Sequence, residues 1–138
     1  MLYKREVIMN IKEVANISGL TPNSIRYYER LGVIPPIPRD KNGNRVFGDL
    51  EIQWLNFARD LRHAGVHVEK IIDYTKLVSQ GDSSIKGRIN LLEETKDELD
   101  EKISELKQTR EHIQFKIDNY DSHMIKIEKN LMNEEMEN

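Results

Sequence analysis

The chain has 138 residues, 33% of them charged and 38% hydrophobic, and a formal net charge of −3; that leaves room for one small packed domain and an appendage, with the polarity of a long solvated helix. There is no cysteine, which excludes disulfides, thiolate metal sites, cysteine nucleophiles and thiol redox sensing. The charge is uneven: residues 1–70 carry 11 Lys and Arg against 8 Asp and Glu, and residues 71–138 carry 10 against 16, a basic front suited to a polyanion and an acidic rear suited to self-association.

Apolar runs such as Gly32-Val33-Ile34 fall far short of the ~20 residues that cross a bilayer. Lys4-Arg5 ahead of Val7-Ile8-Met9 has the charge order of a signal peptide, but the apolar stretch is too short and no cleavage site follows. A soluble, cytoplasmic protein without a membrane partner is expected.

Short helical patterns broken by Gly and Pro fill the chain up to Gly81-Asp82-Ser83-Ser84. The first helix is expected over Ile11–Ser18, with Ile11, Val14, Ala15 and Ser18 on one face and Gly19 as its left-handed stop. Leu20-Thr21-Pro22 restarts a helix, with Thr21 as N-cap, Pro22 in the first turn and Leu20 spaced to pack on Ile25. Two short helices joined by a Gly-containing turn form the helix-turn-helix pattern, which generic helical hairpins share. The second helix should run to Leu31, stopped by Gly32 and Pro35-Pro36, with Ile25, Tyr28 and Leu31 facing inward. Its outward set is then Asn23, Ser24, Arg26, Tyr27 and Arg30. Short polar groups at the N-terminus followed by two guanidinium groups and a phenol suit end-on entry into a major groove. The competing reading is a plain solvated face.

Asn42-Gly43 signals a tight turn. Its flanks predict a small β-hairpin carrying Arg39, Lys41 and Arg45 against Asp40, anchored by Val46 or Phe47. A basic hairpin after such a helix is a wing placed to touch phosphates. A third helix opens at Gly48 or Asp49, with Leu50, Trp54, Leu55, Ala58 and Leu61 on its apolar stripe, Trp54 in the core, and Arg59 and Arg62 on the side open to phosphates. After Ala64-Gly65 a fourth helix covers Val68–Ser79, burying Ile71, Ile72 and Leu77 or Val78. Its start at Val66 or His67 offers only poor caps, and no second His stands at metal-ligand spacing. No metal, cofactor or catalytic residue is expected.

From Ile85 a 3-4 spacing selects Ile85, Ile89, Leu92, Lys96, Leu99, Ile103, Leu106, Arg110, Ile113, Ile117, Tyr120, Met124, Ile127 and Leu131. Apart from Lys96 and Arg110 these positions are apolar, and a sustained heptad pattern means a coiled coil. Unbroken, it would extend roughly 70 Å at ~1.5 Å per residue, too long to be covered by one small domain. A homodimer is therefore expected, with Ile89, Leu92, Leu99, Ile103, Leu106, Ile113 and Ile117 at the seam. Strand orientation does not follow from the pattern. Asp118-Asn119-Tyr120-Asp121-Ser122 is a plausible break, and Glu134–Asn138 is expected to fray. The expected organisation is a winged helix-turn-helix head over residues 9–81, a coiled-coil helix over 82–131 and a frayed tail over 132–138: a mostly α chain with a small β-hairpin wing.

Ile11-Lys12-Glu13-Val14-Ala15, Gly19-Leu20-Thr21, Ile25-Arg26-Tyr27-Tyr28-Glu29-Arg30-Leu31-Gly32, Pro35-Pro36, Arg39, Gly43 and Arg45 together resemble the mercury-resistance regulator (MerR) family, over residues 10 to about 120. The resemblance implies a winged helix-turn-helix head and an antiparallel coiled-coil dimer. It also implies an operator inside a promoter with an over-long spacer, where DNA distortion realigns elements for RNA polymerase. Gly65, Gln80-Gly81-Asp82 and the tail are most similar to the aldehyde- and thiol-stress-responsive branch. The branch's sensory cysteine aligns with Asp60, so its thiol chemistry is absent. The family's wing often reads Gly-Tyr-Arg-x-Tyr; here Gly43-Asn44-Arg45-Val46-Phe47 lacks both phenols.

These readings predict a sequence-specific DNA-binding regulator acting on a palindromic operator, with Thr21, Asn23, Ser24, Arg26, Tyr27, Arg30, Arg39, Lys41 and Arg45 as the DNA-contacting set and an effector that the sequence does not name. The alternative is a coiled-coil scaffold with only non-specific nucleic-acid affinity. An enzyme has little support, because no domain forms a cleft to desolvate the tail's carboxylates.

Overall fold

A computed structural model describes residues 8–137, and the signal-like Lys4-Arg5-Glu6-Val7 lies outside them. The order is α1 (Ile11–Ser18), α2 (Pro22–Leu31), α3 (Asp49–His63), α4 (Val68–Ser79), a 3-10 turn at Asp82–Ser84, α5 (Ile85–Asp118) and α6 (Ser122–Glu137). Two compact units divide between Thr95 and Lys96.

In the first unit α1 and α2 have local reasons for their ends. Asn10 caps α1 by accepting the Glu13 N–H at 2.9 Å, and the Glu13 carboxylate accepts the Asn10 N–H in return, a capping box. Gly19 closes α1 at φ 75°, a conformation that other residues enter only with strain. Thr21 caps α2 through the Ser24 N–H at 3.1 Å, with Pro22 in the first turn. The core joins Val14 of α1, Ile25 of α2, Val33, Ile34 and Ile37 of the connector, Phe47 just before α3, Leu55 and Ala58 of α3, Val66 just before α4, and Ile71 of α4. Thr75 of α4 is buried and its hydroxyl donates to the Val33 carbonyl at 2.9 Å. That bond satisfies a polar pair inside the core.

Several expectations change. Leu31 and Leu50 are exposed (36% and 67%) rather than buried. Leu31 sits in the last turn of α2 and Leu50 in the first turn of α3, where the core no longer flanks the helix. Trp54 is half-buried, its ring 6.3 Å from that of Tyr74 across α3 and α4. Where two hairpin strands were expected, residues 38–46 form a tight turn with one isolated antiparallel bridge, Arg39 to Arg45. The flanking chain instead bridges Met9 to Phe47. The prolines at 35, 36 and 38 lack the N–H that a ladder needs. Gly48, with no side chain to cap with, opens α3 by donating its N–H to Glu51 at 3.0 Å. His67 caps α4 without a side-chain bond.

The first unit ends at Thr95 rather than at residue 81. Ser84 is buried and its hydroxyl donates to the Gly81 carbonyl at 2.8 Å, while Arg88 donates from Nε to that hydroxyl and from Nη2 to Gly81. This knot ties the start of α5 to the end of α4, and Leu91, Leu92 and Thr95 then line a small space with Phe57, Leu61 and Tyr74.

In the second unit α5 ends at Asp118 and α6 starts at Ser122, so the helical stretch expected over 82–131 is interrupted within the run Asp118–Ser122 that offered a break. The Asn119 side chain donates to the Phe115 carbonyl at 2.8 Å and Asp121 accepts the His123 N–H at 2.9 Å, so a C-terminal and an N-terminal cap face each other across the break. Lys116 lies 3.5 Å from Glu128. Twelve residues of continuous helix would separate them by about 18 Å, so α6 turns back beside the end of α5. It stays helical through Glu137, where a frayed end was expected; nothing in its last turn breaks a helix.

Candidate nucleic-acid interface

Thr21 and Ser24 form the mouth of α2, their hydroxyls 2.9 Å apart. Asn23 accepts from Arg26 Nη1 at 3.0 Å, which holds that guanidinium against the first turn. One turn further, the Arg30 guanidinium lies 5.4 Å above the ring of Tyr27, a cation–π stack, and Tyr27 itself is 48% exposed. Asn23, Arg26, Tyr27 and Arg30 thus share an open face, with Ser24 half-buried at its edge. Ile25 behind them is fully buried, so the face is anchored on the core.

The turn stands beside this face. The Asp40 carboxylate accepts the N–H groups of Asn42 and Asn44 at 2.9 and 3.0 Å, and Arg39 Nη1 donates to the Gly43 carbonyl at 2.8 Å. Lys41 is exposed at the tip. A groove of about 610 Å³ separates the turn from the start of α1, with Asn10, Arg26, Arg39 and Asn44 on its walls.

Arg45, expected in the outward basic set, points back toward α2. Its Nε and Nη2 donate to Glu29 Oε1 at 2.9 and 2.8 Å, with side-chain exposures of 17% and 13% for the pair. The other Glu29 oxygen accepts the Ile37 N–H. In the sequence Glu29 stands only as part of the family motif, with no role of its own, although an acid set between Tyr28 and Arg30 on an otherwise cationic helix is a usable signal. Arg59 and Arg62, expected to face phosphates, each donate to a carbonyl of the protein, Arg59 half-buried and Arg62 exposed. Arg59 Nη1 donates to the Ser18 carbonyl at the end of α1 at 3.0 Å, and Arg62 Nη1 donates to the Val66 carbonyl at 2.9 Å.

Of the expected seam, Ile89 (49%), Leu92 (38%), Ile103 (50%), Leu106 (69%), Ile113 (57%) and Ile117 (60%) are exposed on α5, and Leu99 is half-buried. Among the described residues no group of three or more His, Asp or Glu side chains is placed to hold a metal. No helix there is long and apolar enough to cross a membrane.

Residues 9–77 match the family described as MerR HTH family regulatory protein, and residues 52–114 the one described as MerR, DNA binding. The chain is 41% identical over 91 residues to the HTH-type transcriptional regulator AdhR of Bacillus subtilis (strain 168), a stretch covering 66% of this chain and 65% of AdhR. It thus spans slightly less than two thirds of that relative's length. A MerR family transcriptional regulator from Listeria monocytogenes is 40% identical, with a TM-score of 0.80 over 94% of this chain and 98% of that one. HiNmlR, a MerR family regulator lacking the sensor domain and solved bound to promoter DNA, is 27% identical, with a TM-score of 0.76 over 83% of this chain and 90% of that one.

Proposed function

This chain belongs to the MerR family of helix-turn-helix regulatory proteins, which bind DNA and are not enzymes, and from that premise we propose that it is a transcriptional regulator binding a palindromic promoter operator as a homodimer. The observation that carries the reading is the exposed face of α2, where Arg26, Tyr27 and Arg30 stand on a helix capped at both ends. Thr21, Asn23 and Ser24 lead that helix into the major groove, Arg26, Tyr27 and Arg30 hold flanking phosphates, and Arg39 and Lys41 reach the backbone from the turn. The likeness to HiNmlR, solved on promoter DNA, supports the same docking here.

The exposed apolar row on α5 calls for a partner, since apolar surface left in water forgoes about 25 cal/mol per Å². A second copy brings the same row and a second α2, and the two-fold axis then imposes a palindrome. Distortion of the operator and realignment for RNA polymerase follow from the family premise. The effector is chemistry other than thiol oxidation, and the protein acts in the cytoplasm with its DNA.

The test is fluorescence anisotropy on the duplex upstream of the chain's own gene and on a scrambled duplex, across a salt series, with a footprint on the former. We expect a steep negative dependence of log affinity on log salt, one protected palindrome and weaker binding to the scrambled duplex. Equal, weak binding to both duplexes refutes sequence-specific regulation and favours a scaffold with a basic head. Sedimentation of Ile103→Asp checks the dimer: the variant should be monomeric, and an unchanged mass would remove α5 from the interface.

A further inference from the structure

A polar cluster behind the proposed DNA face is centred on a residue of the wrong sign for DNA. Glu29 lies between Tyr28 and Arg30 on α2, with its side chain 13% exposed. Its carboxylate gathers three separate stretches of chain. Oε1 accepts from Nε and Nη2 of Arg45 at 2.9 and 2.8 Å, with Arg39 Nη2 at 3.9 Å. Oε2 accepts the backbone N–H of Ile37 in the connector. The turn is held from the other side by the Val46 N–H to the Pro38 carbonyl at 2.8 Å and by the fully buried Phe47.

An arginine available to a phosphate keeps its guanidinium edge open to water. Arg39 fits that description at 49% exposure, whereas Arg45 at 17% has two donors committed to one carboxylate oxygen. A charge so nearly desolvated is held by its partner, and releasing it would strand Glu29. The link joins α2 directly to the turn, the two elements that must meet the same duplex at a set separation.

We infer that Glu29 is a positioning residue for DNA binding: its carboxylate sets the spacing between α2 and the turn, and Arg45 acts through it as a brace, not as a phosphate contact. The inference rests on the reading that α2 and the turn face DNA. It assigns opposite outcomes to substitutions that simple electrostatics would order differently. Glu29→Gln removes a negative charge beside the DNA face, which by charge alone strengthens binding to a polyanion. As a positioning group its loss weakens binding, because one neutral amide cannot serve both the guanidinium and the Ile37 N–H. Arg45→Lys keeps the charge, and a lysine still serves as a phosphate contact, but it cannot reproduce two donors on one oxygen.

The experiment measures anisotropy on the same promoter duplex and its scrambled control, over a salt series, for the full chain and for Glu29→Gln, Arg45→Lys, Arg45→Ala and the Glu29→Gln/Arg45→Ala pair. Circular dichroism and sedimentation verify fold and mass for each. We expect each single variant to bind the promoter about tenfold more weakly, the scale of one well-placed contact. The wild-type salt slope should persist, and the double variant should lose no more than the worse single one, as two members of one link do. Partial unfolding would also weaken binding at an unchanged slope, and the circular dichroism and sedimentation controls separate it from the expected result. Tighter binding by Glu29→Gln, or full retention by Arg45→Lys, overturns the inference. So does an Arg45→Ala slope smaller by about 0.9 per protomer, the signature of a lost phosphate contact. Should Arg45→Ala fail to fold, Arg45→Lys and Glu29→Gln decide the matter. Failure of the wild type to distinguish the two duplexes sinks the DNA-binding reading itself, a result separable from all of these.

Discussion

Replacing Arg26 with alanine separates the DNA-binding role of α2 from its place in the fold. Within the protein the side chain holds one exposed hydrogen bond, to Asn23 three residues earlier. Such an i, i+3 pair contributes about 0.2–0.5 kcal/mol, and alanine's helix propensity offsets part of that. Thermal unfolding should therefore move by a degree or two at most, about what a few tenths of a kcal/mol does to a small domain. On DNA the expectation is much larger. Each phosphate contact adds about 0.9 to the slope of log affinity against log salt, so a dimer missing two contacts should lose about 1.8. A fourfold rise in salt then shrinks the wild-type advantage about twelvefold. The assay is anisotropy on the promoter duplex at about 50 and 200 mM salt, beside sedimentation of both proteins. A variant with the wild-type slope, or one that loses its dimer, would refute the placement of Arg26 on the DNA face.

The other predictions address the support of that face. Phe47→Ala empties the largest fully buried side chain among the described residues and should cost about 3–5 kcal/mol in urea unfolding; a cost under about 1 kcal/mol would mean that the turn is not anchored there. Gly87→Ala should add up to about 1 kcal/mol, since Gly87 lies inside α5 and a Cβ would meet Leu77 at an ordinary 3.7 Å; destabilisation would show crowding at this junction. Tyr120 should titrate above its usual 10.0, because the phenol donates a hydrogen bond to Glu128 and the carboxylate's charge opposes ionisation. A group whose folded pKa is raised stabilises the fold below its unfolded pKa and loses that contribution as pH rises through the folded value. Ultraviolet absorbance of the phenolate, compared with Tyr120→Phe, should show the late transition, and helicity of the α6 return should fall only in that alkaline window; a midpoint at or below 10 contradicts the contact.

The helical elements of the head were legible because their signals are local. Gly19, Thr21-Pro22 and Gly32 mark ends that the backbone itself requires, and α1, α2 and α4 have the expected bounds. The α1 capping box is equally local, but it starts at Asn10, one residue before the apolar period that begins at Ile11. What lay beyond the sequence depends on partners distant along the chain. Leu31 and Leu50 carry the right period, but exposure depends on where the core ends. The Glu29–Arg45 link spans 16 residues, and no periodicity marks it. Arg59 looked open to solvent because nothing local indicates that the Ser18 carbonyl lies within its reach. The break after Asp118 was visible as a run of poor helix formers, whereas the return of α6 rests on contacts such as Lys116 with Glu128.

The Asp40 carboxylate that ties the tip of the turn has a kinetic side. The same oxygen could be offered by asparagine, without a negative charge next to Lys41. An acid there keeps the loop stiff while lowering the attraction to any stretch of duplex, because indiscriminate binding is almost wholly electrostatic. A head built this way is held less tightly at wrong sequences and leaves them sooner, so in the proposed regulator discrimination rests on the α2 face.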